Sequence, residues 1–325
     1  MLHILVVTNT FPTPSKPGAT PCIKDQVEAM KRQCNVDIEV LHIDGPTNKL
    51  NYLKGALKLF LLNVRKSRYE LVHAHYGYSG FLALLQFRHP VVVTFHGSDI
   101  LDRVEGKVGR FVARFACAVI TMSDQMKDVS RRTDAYVIPF GVDTRIFRPF
   151  PQHEARTILG LPRDKKLILF PYNPKRREKR IDIVKEVVKQ LKSMGELAEL
   201  VIVYNRPREV LCQFMNACDL MVLASDHEGS PVAVREAVAC DLPVVSVDVG
   251  DVRDVIDGLE ACYITERTSQ ALAEKVKSVL VQGARSNGSQ TVKSVDVELS
   301  AQKVYKVYEA ILAHRESIKS NSKNR

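Results

Sequence analysis

A chain of 325 residues, 45% of them hydrophobic, is too long for one ordinary core and fits two domains of about 150 residues each. Its 47 Lys and Arg outnumber 37 Asp and Glu, giving a net charge of +10 that suits an anionic partner: a phosphorylated substrate, an anionic membrane surface or nucleic acid. Seven scattered cysteines (Cys22, Cys34, Cys117, Cys212, Cys218, Cys240 and Cys262) form no C-x-x-C pair, which argues against a disulfide framework or a structural zinc site and for a reducing, cytoplasmic setting. The opening "MLHILVVTNTFP" lacks a charged leader, and no run of about 18 apolar residues occurs, so neither a signal peptide nor a membrane span is expected.

In chain order, "LHILVVTN", "DIEVLHID", "LVHAHY", "PVVVTFHG", "AVITMS" and "YVIPFG" read as strands. Their near-continuous hydrophobicity is that of strands buried on both faces of a parallel sheet. Amphipathic stretches such as "IKDQVEAMKRQ" and "GKVGRFVARFA" alternate with them. After the first strand, "PSKPGATP" is a turn around Gly18. "NKLNYLKGALKLFLLNVRKSR" reads as a helix whose leucines pack on the sheet, with Lys49, Lys54, Lys58, Arg65, Lys66 and Arg68 as a basic rim that packing leaves unexplained. His73 and His75 alternate on one strand, and only His75 falls near its end, so His73 reads as structural. His96 ends the next strand, followed by Asp99.

Pro149, Pro151 and Pro162, in "RIFRPFPQHEARTILGLPRDKK", mark a boundary between domains 1–150 and 151–299. Strands resume with "LILFPY", "ELVIVY", "DLMVLAS", "PVVSVD" and "ACYIT". Behind the first of these, "PYNPKRREKRID" gathers Lys175, Arg176, Arg177, Lys179 and Arg180. "SAQKVYKVYEAILAHR" is a last helix, about 300–317, able to pack back on the first domain, and 318–325 read as a polar, disordered tail. The fold class is therefore α/β, two tandem doubly wound Rossmann-like domains facing a central cleft, with ligands at the carboxyl ends of the strands.

The stretch "SDHEGSPVAVREAVACDLPVVS" places Glu228 and Glu236 around Ser230-Pro231, where Ser230 suits an N-cap and Pro231 a first helical position. A helix N-terminus attracts phosphate through its free N–H groups and dipole. Carboxylates beside phosphate suit hydroxyl donors instead. A ligand with both phosphates and hydroxyls is a sugar nucleotide.

Three stretches in one order, "VHAHYGYSG…TFHGSDI", "IPFGVDTRIFRP" and "EGSPVAVREAVACDLPVVSVDVGDV", resemble the retaining glycosyltransferases of family four, which have the GT-B fold. The resemblance implies that Glu236 holds the ribose hydroxyls and Glu228 the donor sugar. It sets Gly229, Ser230, Pro231 and the N–H groups of Val232 and Ala233 around the diphosphate or sugar. Lys179 matches the family lysine facing the diphosphate. The companion arginine's place holds Tyr172, Asn173 and Pro174, which leaves Arg176 or Arg177 as substitutes. Gly18 would lie against the diphosphate, although the usual second glycine is Ala19. His96 would contact the donor sugar or support the reacting centre, with His75 and Asp99 as acceptor contacts.

No Asp-x-Asp follows a strand in a way that suggests magnesium, so no metal and no cofactor are expected. The expected partners are a nucleotide-sugar, a glycan or lipid-linked acceptor and an anionic membrane surface, not nucleic acid. The expected reaction is retaining, metal-independent transfer from a nucleotide-sugar, with UDP favoured by family frequency, in cell-surface polysaccharide or glycolipid synthesis at the inner face of the membrane. Rival readings are a sugar-nucleotide epimerase or phosphorylase on the same fold, and a non-catalytic binding homologue. A dinucleotide-dependent oxidoreductase is opposed by the missing G-x-G-x-x-G after "HILVVTN".

Overall fold

The computed structural model of the protein describes residues 1–64, 67–291 and 296–323, with side chains in the last helix described through 318 and at 320. Two compact units divide it: Met1–Phe11, Cys22–Phe140 and Val297–Arg325 make the first, Pro12–Pro21 and Gly141–Asp296 the second. The change of unit near 140 precedes the expected 150 because Val142 and Phe147 are already buried in the second unit's core.

The first unit runs β1 (Leu2–Thr8), α1 (Pro21–Gln33), β2 (Val36–His42), α2 (Leu50–Leu61), β3 (Leu71–His75), α3 (Gly77–Ala83), β4 (Val91–Thr94), α4 (Ser98–Leu101), α5 (Glu105–Phe115), β5 (Ala118–Thr121), α6 (Asp124–Ser130) and β6 (Tyr136–Val137). The sheet is parallel in the order β2-β1-β3-β4-β5-β6. β3, β4 and β5 are buried along their whole length, as their unbroken apolar runs require, whereas edge strand β2 is only half-buried beyond its start.

α2 departs from expectation. It buries only Gly55 and Leu59, while Leu50, Leu53, Leu57 and Phe60 are exposed. A Cβ on Gly55 would lie 2.5 Å from Ile43 Cδ1, so the helix meets its neighbour along the Gly55 side and its leucine stripe faces outward. Arg65 and Lys66 of the basic rim lie outside the described residues.

The second unit runs α7 (Gln152–Leu159), β7 (Lys166–Phe170), a 3-10 turn at Arg177–Lys179, α8 (Ile181–Ser193), β8 (Ala198–Ile202), α9 (Arg208–Ala217), β9 (Leu220–Leu223), α10 (Val232–Ala239), β10 (Val244–Val247), α11 (Val252–Ile256), β11 (Tyr263–Thr265) and α12 (Ser269–Gln282). Its parallel sheet has the order β11-β10-β9-β7-β8. The chain goes from β7 outward to β8, then crosses back to β9 on the other side. The loops after β7 and β9 therefore diverge at a topological switch point, where open α/β sheets bind ligands.

α13 (Val297–Lys323) closes the chain within the first unit and buries Val304, Val307 and Tyr308. Of the tail expected at 318–325, residues 318–323 are instead the last turns of this helix, because 316–323 contain neither Gly nor Pro to stop it, and 324–325 lie outside the described residues. Among the described residues no helix is long and apolar enough to cross a membrane.

Candidate active site

At the switch point of the second unit, the loops after β7 and β9 are tied together. The N–H of Asp226 donates to the carbonyl of Glu178 at 2.8 Å, and Arg180 Nη1 lies 3.1 Å from Asp226 Oδ1. Arg180 turns the chain through the left-handed region (φ 51°), which brings Lys179 inward. The Lys179 ammonium is buried and paired with Glu228. It also lies 4.2 Å from the centroid of the Tyr172 ring. Burial, the largest influence, pulls the Lys179 pKa below its ordinary value, and Glu228 opposes that pull. The Tyr172 phenol is held well above its ordinary value, first by burial and then by the negative charge of Glu228 and Glu236. One ring thus sits in the field of both glutamates.

Glu236 is buried on α10 and paired with Arg208, the first residue of α9. The Arg208 guanidinium lies 4.5 Å from the centroid of the Phe147 ring. The sequence reading missed this cation, since nothing in "NRPREV" marks it beyond its position at a helix start. Arg176 and Arg177, the expected substitutes, are exposed, and Arg176 Nε is 2.5 Å from Glu178 Oε1. The two glutamates thus face two cations from different places: Glu228 meets Lys179 of the loop after β7, and Glu236 meets Arg208 at the start of α9.

α10 begins at Val232, one residue later than the Ser-Pro suggests, with Pro231 in the capping position. The Ser230 hydroxyl does not cap the helix, because Arg235 Nη1 donates to it at 2.6 Å. Arg235 is in turn fixed by Asp251, Nη2 to Oδ2 2.6 Å. This buried pair holds Gly229, Ser230 and Pro231 against the sheet, all three being buried. Val232 and Ala233 open the helix and are half-buried, so their N–H groups belong to the first turn, which has no acceptor within the helix. Gly18 lies in the second unit, its N–H donating to Asn205 Oδ1 at 3.1 Å. A Cβ there would come within 2.8 Å of Asn205 Cα, so only glycine allows the approach.

The first unit carries the histidines. His73 is buried between Tyr308 Oη at 2.6 Å and Thr94 Oγ1 at 2.7 Å, which makes it part of the α13 seam. His75, fully buried at the end of β3, meets His96 through Nδ1 and Nε2 at 3.1 Å. His96 stacks on Tyr76, centroids 3.9 Å apart. Burial lowers the pKa of all three, to about 3 for His73 and His96, so the cluster is neutral at neutral pH. Asp99 is a staple: its Oδ1 accepts the N–H groups of His96 and Gly97, both at 2.9 Å. Burial nevertheless raises its pKa to about 6. Gly97 sits at φ 147°, a conformation open mainly to glycine, and this turn sets the direction of His96.

Two family profiles match in succession: "Glycosyltransferase Family 4" over residues 6–146 and "Glycosyl transferases group 1" over 165–282. The chain belongs to this glycosyltransferase family. Among relatives, it is 28% identical over 235 residues to TuaC of Bacillus subtilis (strain 168), named for teichuronic acid biosynthesis. That match covers 64% of this chain and 60% of TuaC. It is 24% identical to glycosyltransferase MJ1178 of Methanocaldococcus jannaschii, covering 81% of each chain. Its fold is GT-B, as in sucrose-phosphate synthase of Thermosynechococcus elongatus (TM-score 0.75, 18% identity, 97% of this chain and 100% of that one). Anabaena Alr3699/HepE in complex with UDP-glucose gives a TM-score of 0.70 at 19% identity, covering 95% of this chain and 100% of that one.

Proposed function

We propose that this glycosyltransferase moves a sugar from a nucleotide-sugar, with UDP as the nucleotide, to a hydroxyl of a glycan or lipid-linked acceptor, with retention of configuration. The observation that carries the reading is the pair of carboxylate–cation couples, Lys179–Glu228 and Arg208–Glu236, on loops and helices at one switch point beside the start of α10. Each couple has a role in a nucleotide-sugar. Lys179 and the N–H groups of Val232 and Ala233 meet diphosphate charge. Glu236, oriented by Arg208, accepts from the ribose hydroxyls. Glu228, released from Lys179 as the phosphates take up that ammonium, accepts from the donor sugar and faces the positive charge that develops at its reacting carbon. Front-face attack then needs no separate base, because the leaving phosphate accepts the acceptor's proton. His96 is assigned to the sugar and His75 to the acceptor. The solved UDP and UDP-glucose complexes of Alr3699/HepE, a protein of the same fold, support the choice of UDP.

The charge on the leaving group is met in this scheme by protein cations and N–H groups, so we propose transfer without a metal or cofactor. The cysteines with no disulfide support a reducing, cytoplasmic compartment. Thermal-shift screening against UDP-, GDP-, ADP- and dTDP-sugars tests the donor. One nucleotide should raise the melting temperature clearly above the others, and equal indifference to all four would sink the reading. Proton NMR of the anomeric signal in freshly formed product, run with and without chelator, tests the rest. An inverted product or a requirement for added magnesium would overturn retention or metal independence separately.

A further inference from the structure

Large apolar side chains are exposed on three helices of one unit, and they adjoin. On α2, Leu50, Leu53, Leu57 and Phe60, continued by Val64, recur at helical spacing, with Leu53 70% and Leu57 59% exposed. α3 adds Tyr78 and Phe81, and α5 adds Phe111 and Phe115. Ring contacts join the helices, Tyr52 to Tyr78 at 6.2 Å and Phe81 to Phe111 at 6.1 Å, and within α5 Phe111 lies 4.9 Å from Phe115. Close backbone packing keeps them in one layer, since a Cβ on Gly77 of α3 would lie 3.3 Å from Gly109 of α5.

Charge on these helices has one sign. α2 and α3 contain no acidic residue, and α5 contains only Glu105. Lys49, Lys54, Lys58, Lys107 and Arg114 are exposed among the apolar groups. Patches of this extent on a soluble surface mark an interaction site. A second copy of the same face would set these cations against one another. An anionic bilayer accepts both features: apolar side chains enter the acyl boundary, and long basic side chains reach the headgroups.

We propose that the α2–α3–α5 face of the first unit docks on the surface of an anionic lipid bilayer. This deepens the reading of a lipid-linked acceptor, since a docked enzyme meets such an acceptor in the plane of the membrane, but it rests on separate residues. None of the docking residues is assigned to nucleotide or sugar.

The test uses the full chain with phosphatidylcholine vesicles and with vesicles that also contain phosphatidylglycerol, in low and high salt. Wild type should sediment with the anionic vesicles, less so in high salt. Lys54→Gln/Lys58→Gln/Lys107→Gln should weaken partitioning at least about tenfold. Leu53→Ser/Leu57→Ser/Phe111→Ser should weaken it comparably, because the apolar contribution is lost. UDP affinity and melting temperature, measured on the same variants, should stay at wild-type values, so a failure of the nucleotide reading would appear in a different column of the experiment. Absence of wild-type binding, or binding unaltered in both variants, would overturn the docking face. So would concentration-dependent dimerisation abolished by the serine substitutions, since the occupant would then be a second copy.

Discussion

At the scale of single residues, the Arg208–Glu236 couple changes what a deletion would do. Glu236→Ala removes the carboxylate that faces the buried Arg208 guanidinium on α9, a loss that costs stability. That variant should melt below wild type and would confuse stability with binding. Glu236→Gln keeps an acceptor for Arg208 while removing the charge offered to the ribose hydroxyls. Its UDP affinity should fall about tenfold to a hundredfold, the worth of charge-assisted hydrogen bonds at about 1.5–3 kcal/mol, and calorimetry reads this directly. A folded Gln variant with wild-type affinity would place the nucleotide elsewhere. Glu228→Gln should act differently, lowering kcat more than nucleotide affinity, because charge develops on the sugar only as the bond breaks. Equal losses in both would make Glu228 a plain binding group. The two glutamates were legible in the sequence because their spacing around a Ser-Pro is local. Arg208 was not, since it stands 28 positions before Glu236 and reaches it only through the sheet order.

At the scale of elements, α13 is joined to the first unit's sheet through Tyr308 and the buried His73. A histidine titrating near 3 in the folded chain and near its ordinary 6.5 when unfolded gains protons on unfolding at intermediate pH. Its stabilisation is complete above pH 6.5 and is lost as pH falls through 6.5 towards 3, at about 1.4 kcal/mol per pH unit. His75 and His96 have the same sign. Asp99, raised from 3.8 to about 6, has the opposite one: the folded state holds its proton more tightly, so within that window it favours folding as pH falls. One carboxyl does not outweigh three imidazoles. Thermal melts should therefore fall steadily below pH 6.5, and His73→Gln should flatten the slope by about 1.4 kcal/mol per pH unit while lowering stability at neutral pH. A wild-type melting temperature constant between pH 7 and pH 4 would contradict the neutral cluster. The strand strings of the sequence each fell on a strand of one of the two sheets; in the central strands burial on both faces leaves an unbroken apolar run, whereas β2, β6, β8 and β11 are only partly buried. α2 shows where that legibility ends. A stripe of leucines has the same spacing whether it meets a sheet or solvent, and only the contact of Gly55 with Ile43 fixes which side turns inward.

At the scale of the molecule, each unit has its own sheet, and the groups assigned to the nucleotide lie in the second. Loops after β7 and β9 carry those groups, and such loops open more readily than the buried strands beneath them. A ligand that binds only the closed arrangement stabilises it by RT ln(1 + [L]/Kd), about 2.7 kcal/mol when UDP stands at a hundredfold excess over Kd. Amide hydrogen exchange should then slow by up to about a hundredfold in the segments that open locally, 171–180, the start of α9 and 228–238. β9 and β10, which are wholly buried, should exchange slowly with or without nucleotide. The same experiment with UDP-glucose should extend protection around Glu228 beyond that given by UDP, because only the sugar reaches that carboxylate. Protection confined to the first unit, with 171–180 and 228–238 unchanged, would remove the nucleotide from the switch point of the second sheet. Identical protection by UDP and UDP-glucose around Glu228 would leave the nucleotide there and take the sugar away from that residue.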